Sequence, residues 1–246
     1  RSNHLNDSII ESNLDACWIF GNFSFLNKET IFKFIKLKLN YHILEYDFKY
    51  CSFRSSQKHI KATGQCNCET EMNGKVVSLF MNNAKSLWFM SEKQKQIYCD
   101  LFRFIQTDTT TVLSSVFAKK TLEKISQLPT KKNENYIIFD SNNWLKGTKK
   151  SIEYAVENNL NYELVKDLPY DKMLEKLSFS KGLIFLPQAY DTCPRITIEA
   201  KLLDCELVLG DNVLHRNEDW FKCSKESVMN HLSINAEKFW SFIDDQ

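Results

Sequence analysis

The stretch 182–209 limits the fold of this chain more than any other. Gly182-Leu-Ile-Phe-Leu-Pro187 is an apolar run closed by Gly and Pro, the pattern of a strand buried on both faces of a parallel sheet. The loop Tyr190-Asp191-Thr192-Cys193 follows. Thr192 is placed to N-cap a helix, and Pro194 suits its first turn. Ile196, Ile198, Leu202 and Leu203 give that helix an apolar stripe, and Cys205-Glu-Leu-Val-Leu209 is a second short strand. Strand, loop, helix and strand make a βαβ unit whose loop lies at the carboxyl end of the first strand. Open α/β sheets bind ligands at that edge.

The loop has the chemistry of an anion site. A helix starting near Pro194 points free amides and its positive dipole end at the loop. Arg195 can fork onto phosphate. Glu199, inside the helix, can accept both hydroxyls of a ribose, as acids near phosphate sites do in dinucleotide folds. The same residues also fit an ordinary βαβ unit with surface charges, because fold alone does not imply function.

Asp191, seven residues, then Glu199-Ala200 resembles the Glu-x7-Glu-Ala signature of the retaining GT-B glycosyltransferases, family 4 in particular. The resemblance extends over residues 135–209 and is weaker before them. It implies that Asp191 touches the donor sugar, that Glu199 holds the nucleotide ribose, and that backbone near Arg195, Ile196 and Thr197 takes the diphosphate. Lys146-Gly147 is similar to the Lys-Gly of the family's Arg-x4-Lys-Gly motif, and Ser141 stands where the Arg belongs, so Arg195 or Arg54 would have to supply the second cation. Asp191 also replaces the usual Glu, Cys193-Pro194 the usual Phe-Gly, and Asp204 and Glu206 a usual Gly and Pro. These departures leave the nucleotide assignment standing and weaken the sugar assignment.

The implied fold is α/β, two Rossmann-like parallel-sheet domains in a GT-B-like pair, with the first reduced. The N-terminal half agrees. Asp15–Phe20, Tyr41–Asp47, Leu87–Met90 and Thr111–Phe117 read as strands, with helices over 28–38, from Val76, and over 92–104. Ser91-x-x-Gln94 is a capping box for the last of these helices. Residues 1–14 form a short helix or arm, and 50–74, without a period, a long loop. Residues 129–134 are polar and read as the linker between a first domain, 1–128, and a second, 135–246, whose amphipathic last helix in this family often crosses back onto the first. A GT-B first domain normally holds more strands, so this one is shortened or the chain has lost its beginning.

Two further groups stand in the first half. Glu45 and Asp47 end a strand, and the resemblance would place them towards the acceptor as orienting group or base. Cys51, His59, Cys66 and Cys68 form Cys-x7-His-x6-Cys-x-Cys, three thiolates and an imidazole suited to a structural zinc. Thiols scattered on a surface loop are the competing reading. His42 reads as a packed core histidine, and His215-Arg216 as part of a solvated loop.

A formal charge of +1 argues against nucleic acid as the main partner. No apolar run approaches the ~20 residues of a membrane span, and no secretory signal pattern opens the chain. Eight cysteines, with Cys17 and Cys205 reading as buried thiols, fit a reducing compartment, so the cytoplasm or the inner face of its membrane is expected. The expected function is retaining transfer of a sugar from a nucleotide diphosphate donor to a glycan or glycolipid, with no cofactor required for the chemistry. The alternative is a non-catalytic nucleotide-sugar-binding module, or half of a split enzyme that needs a partner chain.

Overall fold

The computed structural model describes residues 5–105, 108–129 and 131–244; residues 1–4 of the expected arm and Thr130 of the expected linker lie outside them. The chain divides into two compact units, Arg1–Val112 and Leu113–Gln246.

The first unit holds strands β1 (Trp18–Phe20), β2 (Tyr41–Glu45), β3 (Ser86–Phe89) and β4 (Thr110–Val112), with helices α1 (Asp7–Glu11), α2 (Lys28–Lys36), α3 (Ser56–Thr63), α4 (Met72–Asn82) and α5 (Glu92–Leu101). The strands lie side by side in chain order, all parallel. Every residue of β2 and β3 is buried, as the apolar runs require. Phe20, Phe34, Tyr41 and Phe80 pack edge-to-face and stacked, and the Tyr41 hydroxyl donates to the Phe80 carbonyl at 2.7 Å. His42 is buried there, its Nδ1 2.7 Å from the Ser86 hydroxyl. The capping box forms: Ser91 Oγ accepts from the Gln94 amide at 3.3 Å and Gln94 Oε1 from the Met90 amide at 2.8 Å. Gln94 Nε2 then donates to the carbonyls of Glu45 and Asp47 at 3.0 and 2.8 Å, tying the start of α5 to the end of β2.

Two expectations fail here. Residues 50–74 are not one loop: Ser55 caps α3 by accepting from the Lys58 amide, Gly64 ends it at φ 86°, and α4 starts at Met72. None of the residues of α3 is buried, so it has no apolar stripe to read. Cys17 is exposed, because β1 begins only at Trp18 and the residue ahead of it is outside the strand.

The second unit holds β5 (Tyr136–Phe139), β6 (Tyr162–Val165), β7 (Gly182–Phe185) and β8 (Glu206–Leu209), with helices α6 (Lys119–Gln127), α7 (Thr148–Glu157), α8 (Tyr170–Phe179), α9 (Arg195–Leu202), α10 (Asp219–Lys222) and α11 (Lys225–Asp244). All pairs are parallel, in the order β6-β5-β7-β8. Tyr136, Ile138, Ala155, Ile184 and Leu186 form a core between the sheet and α7. Helix α6 packs on α9 and α11, so residues 113–127 belong to this unit although the sequence placed them in the first. Lys132, expected in the linker, is fastened to this unit as well: its ammonium donates to the Leu177 and Leu203 carbonyls at the ends of α8 and α9. Helix α11 packs on α6, α9 and α10. Among the described residues no helix is long and apolar enough to cross a membrane.

Candidate functional site

The strand order of the second sheet reverses between β5 and β7: the chain leaves β5 towards β6 on one side and returns to β7 on the other. At such a switch point the two following loops splay apart and leave a crevice at the carboxyl ends. A pocket of about 410 Å³ lies there, lined by Phe139, Ser141, Lys146, Tyr170, Ile196 and Glu199 among others.

Local chemistry shapes its walls. The Thr148 hydroxyl donates to the Phe139 carbonyl at 2.6 Å and accepts from the Ser141 amide at 3.1 Å, closing the loop after β5. Trp144–Lys146 form a single 3-10 turn, capped by the Asn143 side chain and ended by Gly147 at φ 69°. A Cβ on Gly147 would lie 2.0 Å from the Leu186 carbonyl oxygen, so only glycine lets this turn press against the end of β7. That approach brings Lys146 Nζ to 2.7 Å from Asp191 Oδ2. Asp191 is itself held: its amide donates to the Asn212 carbonyl at 2.8 Å, and its carbonyl accepts from the Leu214 amide at 3.1 Å. Lys146, which lines the pocket, and Asp191, 45 residues on in sequence, are thus one ion pair.

Helix α9 supplies the opposite wall. Its cap is Pro194, which makes no side-chain cap bond, and not Thr192 as the sequence suggested; Thr192 is buried. The amides of Arg195 and Ile196, at the start of α9, have no carbonyl partner within the helix, and helix starts of this kind attract anions. Thr197 is removed from the expected ligand set. It is fully buried, its amide and hydroxyl both donate to the Pro194 carbonyl, and its oxygen meets His215 Nε2 at 3.1 Å. Since that hydroxyl spends its proton on Pro194, His215 must donate from Nε2. His215 is not in a solvated loop either: it is fully buried, with the Trp220 ring stacked 5.7 Å away, and burial pushes its pKa down to about 3, so it stays neutral.

Glu199, one turn along α9, is buried at the pocket floor and accepts from the Tyr170 hydroxyl at 2.8 Å. Burial raises its pKa, while Tyr170 and Arg195 pull the other way. A carboxylate offers about four acceptor sites, so one phenol leaves capacity for a vicinal diol. Arg195 lies over the Phe117 ring at 4.3 Å with Nε 3.7 Å from Glu199, its side chain half exposed. Tyr170 is the residue that sequence reasoning missed; its signal was a tyrosine directly after Pro169 at a helix start, at the carboxyl edge of the same sheet.

In the first unit, Glu45 is corrected as an acceptor-touching group. It is fully buried, bound by Lys49 Nζ and the Asp47 amide at 2.9 Å each, and burial pushes its pKa up to about 7. Asp47 is part-exposed and pairs with Arg54 and, at 3.3 Å, with Lys49. Arg54 is therefore engaged within its own unit. A second hollow of about 460 Å³ is lined by Asn27, Lys49, Arg54 and Asn73 among others. Cys51, His59, Cys66 and Cys68 come together, with their ligand atoms all within 4.8 Å of one another.

No family model matches the chain, and no curated protein does. Among solved structures it is similar to S. aureus TarM, solved as a point mutant in complex with fondaparinux, alpha-GlcNAc-glycerol and UDP. The two share 12% identity at a TM-score of 0.46, over 84% of this chain and 47% of that one. The chain spans about half the length of that protein.

Proposed function

We propose that this chain is a glycosyltransferase that takes its sugar from a nucleotide diphosphate donor, with retention at the anomeric carbon. The observation that carries the reading is the switch-point pocket, lined by a buried carboxylate, Glu199, and a cation, Lys146, beside the start of α9. The ribose diol would bind Glu199, and the diphosphate would lie between Lys146 and the amides of Arg195 and Ile196. Asp191 would then stand at the sugar. The bond that breaks joins the anomeric carbon to the diphosphate oxygen, and Lys146, Arg195 and the amides meet the charge that develops there. The chemistry asks no cofactor of the protein. Asp47, rather than the buried Glu45, is the first-unit carboxylate proposed to engage a glycan or glycolipid hydroxyl.

One observation favours a second reading, a nucleotide-sugar-binding module that works with a partner chain. Ser141 holds the place where the resemblance calls for Arg, and the remaining cation, Lys146, is already paired with Asp191.

Titration calorimetry with UDP, GDP, ADP and CMP tests the pocket. Glu199→Ala is expected to weaken the best of them at least tenfold, about 1.4 kcal/mol for the lost ribose bonds. An unchanged affinity removes the ribose role. Turnover of the matching nucleotide sugar, with product configuration read by NMR, then separates the readings: binding without transfer to any acceptor selects the module.

A further inference from the structure

Three thiols and one imidazole from the segment 51–68 converge on one point beside the carboxyl edge of the first sheet. Cys51 follows β2, His59 lies on α3, and Cys66 and Cys68 lie in the return from α3 to α4. Cys51 Sγ is 3.6 Å from His59 Nδ1 and 3.8 Å from Cys66 Sγ, and Cys68 Sγ is 3.2 Å from His59 Nδ1. A tetrahedral zinc with bonds of about 2.3 Å to sulfur and about 2.0–2.1 Å to nitrogen puts its sulfurs about 3.8 Å apart and its sulfur–nitrogen pairs about 3.6 Å apart. A disulfide needs about 2.05 Å, and all the cysteines are free.

We infer that Cys51, Cys66, Cys68 and His59, through Nδ1, bind one structural zinc ion. Three sulfurs with one nitrogen select zinc over the harder divalent cations, and four protein ligands close the tetrahedron with no open position for catalysis. The surroundings are those of ligands held for a metal. The Ser52 hydroxyl is 3.7 Å from Cys68 Sγ, and the Phe53 ring stacks on His59 at 4.5 Å. Gly74 is part of the design. Inside α4 its Cβ would fall 2.0 Å from the Cys68 carbonyl oxygen, so glycine there lets Cys68 reach its place.

The ion supplies what the segment lacks. Helix α3 buries none of its own residues, so no apolar face holds it to the sheet. Metal binding to a segment without a core is folding free energy for that segment. Arg54, at φ 56° between the first ligand and the Ser55 cap, is carried on the same clip and pairs with Asp47. The zinc therefore fixes Arg54 at this edge without touching substrate.

Elemental analysis of the full chain, purified without chelator, is expected to give about one zinc per chain. X-ray absorption at the zinc edge should show a shell of three sulfurs and one nitrogen. Cys66→Ser and Cys68→Ser are each expected to lose the metal, while Cys99→Ser, outside the cluster, keeps it. In the wild type, chelator should release the zinc and raise hydrogen exchange over residues 51–71, leaving the second unit unchanged. A folded wild-type protein with under about a tenth of a zinc per chain overturns the assignment. So does a Cys51–Cys66 disulfide in the mass spectrum, another metal at unit ratio, or a zinc shell without sulfur. Because these readouts use the wild type, a cysteine variant that fails to fold leaves the test intact. None of them depends on sugar transfer.

Discussion

Asp191→Asn should tighten the binding of a nucleoside diphosphate while removing turnover. The reason is the 2.7 Å contact between Lys146 and Asp191. A phosphate bound by Lys146 would lie roughly 5–6 Å from the Asp191 carboxylate, since each partner sits within about 2.8 Å of the ammonium. Two like charges at that range repel by about 0.7 kcal/mol at the dielectric of water and about 3 kcal/mol at an effective value of 20. Both side chains are partly exposed, 40% and 21%, so the lower part of that range applies, and salt reduces it further. The ion pair itself is worth under about 1 kcal/mol on the same grounds. The net expectation is about 1 kcal/mol, a gain of roughly fivefold in affinity for the diphosphate. Calorimetry at low and at physiological salt checks it. The gain should be absent for the bare nucleoside, shrink with salt, and disappear in a Lys146→Ala background, where binding is weaker throughout. A fivefold loss of diphosphate affinity in Asp191→Asn would refute the reasoning, because the carboxylate would then be a ligand or an orienting group for the phosphates and not their competitor.

Other outcomes follow from the same geometry. Gly147→Ala should destabilise by over 2 kcal/mol in urea unfolding, from about 1–2 kcal/mol of left-handed backbone strain plus the clash with Leu186; a change within ~0.5 kcal/mol of wild type would sink the close-approach argument. Gly74→Ala inside α4 should also destabilise, although helix propensity alone predicts a gain of about 1 kcal/mol, so a stabilised variant would show that Cys68 does not sit where described. His215 sits at about 3 when folded against about 6.5 unfolded, so the unfolded chain binds the extra proton and stability falls as pH drops through that window, by at most ~1.4 kcal/mol per unit. His215→Gln should remove that slope between pH 7 and 5, and an equal pH dependence in both proteins would count against a buried neutral ring.

The parts of the fold that follow from burial were legible in the sequence. Gly182–Phe185 is an unbroken apolar run because both faces of β7 are covered, and Ser91 with Gln94 marked a helix start that the structure places at Glu92, with Ser91 as its cap. The chemistry of 51–68 was legible as composition, since thiols and an imidazole are informative wherever they fall. What escaped the sequence has a common physical cause, the absence of periodic burial. Helix α3 is held by caps at both ends and buries nothing, so it showed no stripe. The unit boundary was misplaced because α6 buries only Leu122 and Ile125, too few to reveal which sheet they serve. Sequence singled out Lys146, Asp191 and Glu199, of which the structure pairs the first two and lines one pocket with the first and last, but it could not separate Glu45 from Asp47, two residues apart with different exposure, nor see that His215 would be enclosed by Trp220 and Thr197.

The double hold of Gln94 constrains what descendants of this sequence can change. In most capping boxes glutamine and glutamate serve equally, because only the side-chain oxygen is used. Here the amide nitrogen also satisfies the carbonyls of Glu45 and Asp47. Glutamate would keep the cap, yet it would withdraw the amide donor from both carbonyls, leaving that of Asp47 only the longer 3.4 Å bond from the Tyr98 hydroxyl, and set a second carboxylate beside buried Glu45. A substitution that looks silent on the helix is therefore closed off by the strand. The end of β2 and the start of α5 must drift together, and any relative that keeps this edge of the first sheet should be found with an amide at this place.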